Sequence, residues 1–170
     1  MPSDYFAVLV QHSAWANRLL YQCCETLTPA EYLRERGSTY GSLHATLNHI
    51  LAIDRLWIGR IEGRSPPPID ERQILYADLV ALKVARLAED EHLRLVIGGL
   101  KKAALDLPVR YTDRHGDRFE IPLRFVLGHL FDSQSRCRGE ALALLAQAEV
   151  VTPALDLIAF LRETEAVAGR

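Results

Sequence analysis

Apolar residues recur three and four positions apart through most of this chain, in stretches long enough for several helical turns. A repeat of 3.6 residues gathers such positions on one helix face, and that face has to be buried against other helices. Phe6, Leu9, Val10, Leu20, Tyr21, Cys24 and Leu27 mark the first stretch. The second runs from Ser42 to about Ile61 with Leu47, Ile50, Leu51, Trp57, Ile58 and Ile61 inward. The third spans about Asp78 to Leu105 through Leu93, Val96, Ile97, Leu100 and Ala104, and the fourth spans Pro122 to about Ala148.

The breaks are as informative as the stretches. Thr28-Pro29 closes the first and caps a short turn through Tyr32, and Gly63 stops the second. Ser65-Pro66-Pro67-Pro68 has no amide donors at its prolines, so it is a loop crossing between helices. Val109 to Ile121 reads as two short alternating runs around His115-Gly116, a β-hairpin. Pro153 is expected to start a short terminal helix through Glu163. The expectation is one all-α domain over residues 1–170. It is an up-and-down four-helix bundle with a crossover loop, a small β-hairpin before the fourth long helix and a short C-terminal helix.

A formal net charge of −2 over 170 residues gives no global basic field, so neither nucleic acid nor an anionic membrane is an expected partner. No stretch approaches the roughly 20 apolar residues of a membrane span. Met-Pro-Ser-Asp-Tyr lacks the basic start of a signal peptide, and three cysteines, with Cys23 and Cys24 adjacent, suit a reducing compartment. A cytoplasmic location is expected.

His49 lies beside Ile50, Ile53 and Leu56 in the second helix, where it is either a metal ligand or a hydrogen-bonded core histidine. On the fourth helix His129, Ser133 and Cys137 are four apart. His129 and Cys137 are two such steps, about 12 Å of rise, from each other and do not easily share an ion. Cys137 is either a small buried hydrophobe or a reactive thiol. Asp54 falls inside an apolar stripe and needs a cation, for which Arg138 is the candidate. Arg110, Arg114, Arg118, Arg124, Arg136 and Arg138 interleave with Asp113, Asp117, Glu120 and Asp132 as a solvated mixed-charge surface, a reading preferred to an anion site. His44 and His115 are expected at the surface, Cys23 and Cys24 in the packing, and His12 and His92 have no partner by spacing.

The run Gly41-Ser-Leu-His-Ala-Thr-Leu-Asn-His-Ile-Leu-Ala-Ile-Asp-Arg-Leu-Trp57, followed by Arg60 and Gly63, resembles the first signature of the DinB-like family of four-helix-bundle metalloenzymes. Trp15-Ala16-Asn17-Arg18 resembles the family's opening helix. His129, Leu130, Phe131, Gln134, Arg138 and Gly139 match its second signature, and the likeness extends over most of the chain. It implies a divalent ion, often nickel or zinc, held by three histidines at positions that fall here on His49, Ser133 and Cys137. Two of those three are replaced, Arg136 stands where members carry another histidine, and Glu140 stands where they carry glutamine.

Two functional readings follow. In the first, His49 and Cys137, completed by water, His129 or a carboxylate, hold a nickel or zinc ion, and the protein is a metal-dependent hydrolase or a transferase acting on a low-molecular-weight thiol. In the second, the site is degenerate, and the protein binds a small molecule in the old pocket without metal or acts as a dimeric interaction module. A homodimer is the expected partner in both.

Overall fold

The structure is a computed structural model that describes residues 2–70 and 72–168. Its helices are α1 (Pro2–Cys24), α2 (Pro29–Leu33), α3 (Leu43–Ile61), α4 (Leu79–Gly98), α5 (Leu123–Gln147) and α6 (Leu157–Ala168), with a 3-10 turn at Lys102–Asp106. Strands β1 (Pro108–Thr112) and β2 (Arg118–Pro122) pair antiparallel, Val109 opposite Ile121 and Tyr111 opposite Phe119, which is the expected hairpin.

Local chemistry sets the ends of these elements. Ser42 caps α3 by accepting the amide of Ala45, and Asp78 caps α4 by accepting that of Ala81. Gly41 and Gly63 bracket α3 at φ of 97° and 76°, a region that other residues enter only with strain. Two expected boundaries move. The third long helix stops at Gly98 rather than Leu105, because Gly98-Gly99 has the lowest helix propensity outside proline and the chain continues as a 3-10 turn. The last helix starts at Leu157 rather than Pro153, because Asp156 supplies the side-chain oxygen that takes the Ala159 amide.

α1 packs against α4 and α5, and α3 packs against the same two helices. The proline loop does more than cross over. Asn48, near the start of α3, accepts the amides of Leu75 and Tyr76, both at 2.9 Å, so the segment after α3 climbs back along that helix before α4 begins. α4 therefore runs parallel to α3, as the rungs Asp54–Arg86, Arg55–Glu89 and Glu62–His92 show in order. α1 and α5 run the other way, so the order is up, down, down, up rather than simple alternation.

The core has three levels. Leu20, Leu43, Leu47, Leu51, Leu144 and Leu145 belong to one apolar cluster, and Phe6, Ile58, Leu93, Leu127, Leu130 and Phe131 to a second. Between them lies a buried polar layer with members from all four long helices. Arg86 Nη1 donates to Asp54 Oδ2 at 2.5 Å. Gln134 Nε2 donates to Asp54 Oδ1 at 2.9 Å, and Asn17 Nδ2 donates to Asp90 Oδ1 at 2.9 Å. Ser13 donates to Gln134 Oε1 at 2.7 Å. Arg86 Nη2 sits 3.0 Å from Asp90 but out of hydrogen-bonding alignment, so that contact is ionic only.

The expected Asp54–Arg138 pair is thus corrected. Arg86 is the direct partner, and Arg138 donates to the neutral oxygens of Ser13 and Asn17 at 3.2 and 3.3 Å. Burial raises the Asp54 carboxyl against the pull of Arg86 and Gln134. Burial also lowers Arg138 to about 10.

His44 is buried rather than at the surface, its Nδ1 3.2 Å from the Tyr32 hydroxyl. His12 donates from Nε2 to the Leu155 carbonyl at 2.8 Å, tying the C-terminal segment to α1. His92 bridges Glu89 and Glu62 at 3.0 and 2.9 Å. No helix among the described residues is long and apolar enough to cross a membrane.

Candidate functional site

One face of α3 carries His49, Ile53, Leu56, Trp57 and Arg60 at helical spacing, and the facing side of α5 carries His129, Ser133 and Arg136. Between them opens a cleft of about 700 Å³, closed by Tyr40 from the α2–α3 connection, Pro68 and Ile69 from the proline loop, and Asp113, Arg114 and His115 from the hairpin tip.

At one end the Tyr40 ring lies on the His49 imidazole, centroids 4.0 Å apart and planes 21° from parallel. The Arg136 guanidinium lies near enough to the Tyr40 hydroxyl to pull its pKa down. Cys137 Sγ lies 3.7 Å from the Tyr40 hydroxyl, and either group can donate to the other. Burial lifts the Tyr40 phenol to about 12, so it stays protonated at neutral pH. Burial also pushes the Cys137 thiol up, against the opposing pull of Tyr40 and Arg136.

At the other end the Arg60 guanidinium is held between two rings, 4.6 Å from Trp57 and 4.2 Å from Tyr111, and donates to the Thr112 carbonyl at 3.4 Å. The contact ties the hairpin to α3. Trp57 meets the His129 ring edge-on at 4.9 Å. At the hairpin tip Arg114 Nε donates to His115 Nε2 at 3.2 Å. The Asp113 carboxylate is occupied by its own turn, accepting the amides of His115 and Asp117.

The fold brings His49 against the Tyr40 ring and Cys137 near its hydroxyl, and it places His129 at the Trp57 end of the same cleft, exposed. Whether this set fits a divalent ion is a matter of donor chemistry. Ser133 offers a neutral hydroxyl, Cys137 is held as the thiol when coordination needs thiolate, and the Arg136 cation stands against the same phenol. Among the described residues no three His, Cys, Asp or Glu side chains gather where an ion would sit. The set does not fit a nickel or zinc site.

The arginines divide differently from the sequence expectation. Arg110 and Arg124 form exposed ion pairs with Glu120 and Asp106, whereas Arg114 and Arg136 line the cleft and Arg138 is buried. Tyr40, Arg60 and Arg114 had no signal as site residues, since the α2–α3 connection, α3 and the hairpin tip meet only in the fold. A second groove of about 760 Å³ lies on the α1 side of α5. Its walls are mostly apolar, with one cation, Arg138, and two carboxylates, Asp132 and Asp156, among them.

A search of curated proteins finds no match. The model of the DinB family matches residues 1–167, nearly the full length. The chain belongs to the DinB family.

Proposed function

We propose that this protein binds a small molecule in the cleft between α3 and α5 without a metal ion, on a four-helix bundle of the DinB type. The observation that carries the reading is the Tyr40 group. Its ring covers the His49 imidazole and its hydroxyl lies 3.7 Å from Cys137 Sγ, so it occupies two of the positions where a metal site needs unoccupied donors, beside a cleft of ligand size.

Protein purified without chelator or nickel resin is expected to carry no stoichiometric transition metal, and added zinc or nickel is expected to leave its Tm unchanged. A ligand bound only by the folded state raises Tm by mass action, about 2.7 kcal/mol at a hundredfold excess over Kd. Stoichiometric metal that Cys137→Ser releases overturns the proposal. That result supports the second reading, a metal-dependent hydrolase or thiol transferase, which is favoured by the convergence of His49 and Cys137 on one tyrosine.

The same proposal places the protein in a reducing cytosol, which suits its free Cys23, Cys24 and Cys137. It also keeps the homodimer as partner, checked by a light-scattering mass of twice the 19.1 kDa chain.

A further inference from the structure

We propose that the outer face of α4 is the surface on which two copies of this chain meet, the two α4 helices lying antiparallel about a two-fold axis at the Leu87–Ala88 step. The inference rests on the homodimer of the proposed function and adds its face and its direction.

α4 is apolar on two sides. Its inner side, with Leu82, Ala85, Leu93 and Ile97, is buried in the bundle. On the outer side Val80, Val84, Leu87 and Leu95 are 74, 64, 54 and 58% exposed. At 3.6 residues per turn these four fall within about 80° of one another around the helix, which makes them a single stripe. Among the described residues no other helix or strand exposes more than one large apolar side chain. Scattered exposed apolar residues are ordinary on a protein surface, whereas a contiguous stripe marks a contact face.

The stripe is complementary to itself in one direction only. With the axis at Leu87–Ala88, antiparallel helices bring Val80 against the partner's Leu95 and Leu87 against the partner's Ala88. The same register sets Lys83 beside the partner's Glu91. Within one chain Lys83 is paired with Glu25, and Glu91 with Arg94. The contact therefore joins two pairs into a row of alternating sign, Glu25, Lys83, the partner's Glu91 and the partner's Arg94, and the two-fold axis repeats the row. A parallel arrangement instead sets Lys83 against the partner's Lys83 and Glu91 against the partner's Glu91.

Shape and size agree with a second copy. Next to Leu87 lies a groove of about 340 Å³ whose α1 wall is Val10, Gln11 and Ala14, room for a side chain of the partner's stripe. α4 has 20 residues and is about 30 Å long, so α4 and the adjoining flank of α1 together offer about 600 Å² per copy, the lower end of specific interfaces.

Sedimentation velocity tests this. The parent is expected at twice the 19.1 kDa chain. Leu87→Asp sets two carboxylates close to the axis and should weaken the dimer about a hundredfold or more. Phe125→Asp, exposed on α5, should leave the mass unchanged. Lys83→Glu and Glu91→Lys should each weaken the dimer about tenfold, and the double swap in one chain should restore it, because opposite charges face each other again. In a parallel pair like charges still face after the swap. Circular dichroism checks each variant, and Val84→Asp carries the test if Leu87→Asp does not fold.

A parent dimer that Leu87→Asp leaves intact overturns the face and keeps the homodimer. Dissociation by Leu87→Asp without recovery in the double swap overturns the antiparallel register. A parent that stays at single-chain mass at high concentration removes the homodimer and the inference together, and gives the stripe to a different protein. Binding of a small molecule in the α3–α5 cleft stands or falls apart from all three results.

Discussion

Arg86 and Arg138 are both nearly inaccessible guanidiniums in one polar layer, yet they have different partners. Arg86 lies against two carboxylates, and removing it strands Asp54 with only Gln134 to answer it. Arg138 bonds neutral oxygens, so removing it leaves unpaired dipoles rather than an unpaired charge. Arg86→Met is accordingly expected to cost about 3–5 kcal/mol, and Arg138→Met about 1–3 kcal/mol. Urea denaturation at neutral pH checks the ordering, and a larger loss at Arg138 would contradict it. The sequence showed that Asp54 sits inside and needs a cation. Choosing the right arginine required knowing which rungs of the helices face one another, although Arg86 and Asp90, four apart beside Leu82 and Leu93, carried the same signal of a buried pair.

At the scale of elements, stretches of apolar periodicity were legible as helices, while their ends and directions followed chemistry that periodicity does not contain. Asp156 rather than Pro153 sets the start of α6, and Asn48 draws the proline loop back along α3. One consequence is the His92 bridge between Glu62, just past α3, and Glu89 on α4. Hydrogen bonds that its ring donates to Glu62 and Glu89 raise the His92 pKa above its ordinary 6.5. Its stabilising contribution is then complete below pH 6.5 and is lost as pH rises through the raised value. The side chain is 36% exposed, so screening holds the effect to about 1 kcal/mol or less. His92→Gln should be less stable than the parent at pH 6 and converge with it in alkaline buffer. A gap that widens with pH would refute this sign.

For the whole molecule, the opposite pH dependence is expected from the buried histidines. Burial lowers the pKa of both His12 and His44 below 6.5. In the unfolded chain they protonate first as pH falls, so the stability present above pH 6.5 declines through the acid range down to the lowered folded values. His12→Gln should flatten the fall of Tm between neutral and acid buffer, and an unchanged slope would show that His12 is not its source. The helical class of the molecule and the return of the hairpin on itself were readable from spacing alone. The cleft was only half readable. His49, His129 and Ser133 stand on its walls, but its closure depends on Tyr40 from one connection and the hairpin tip from another, far apart along the chain.

The polar layer also acts as a depth gauge for the assembly of the helices. Sliding any long helix by one turn, about 5.4 Å, would carry its member of the layer in among the leucines above or the phenylalanines below and leave a charge or amide with no answer. Purely oily packing tolerates such slippage far better. The height at which α3 and α5 face one another across the cleft, and at which Trp57 meets His129, is thus set by residues that never touch the cleft.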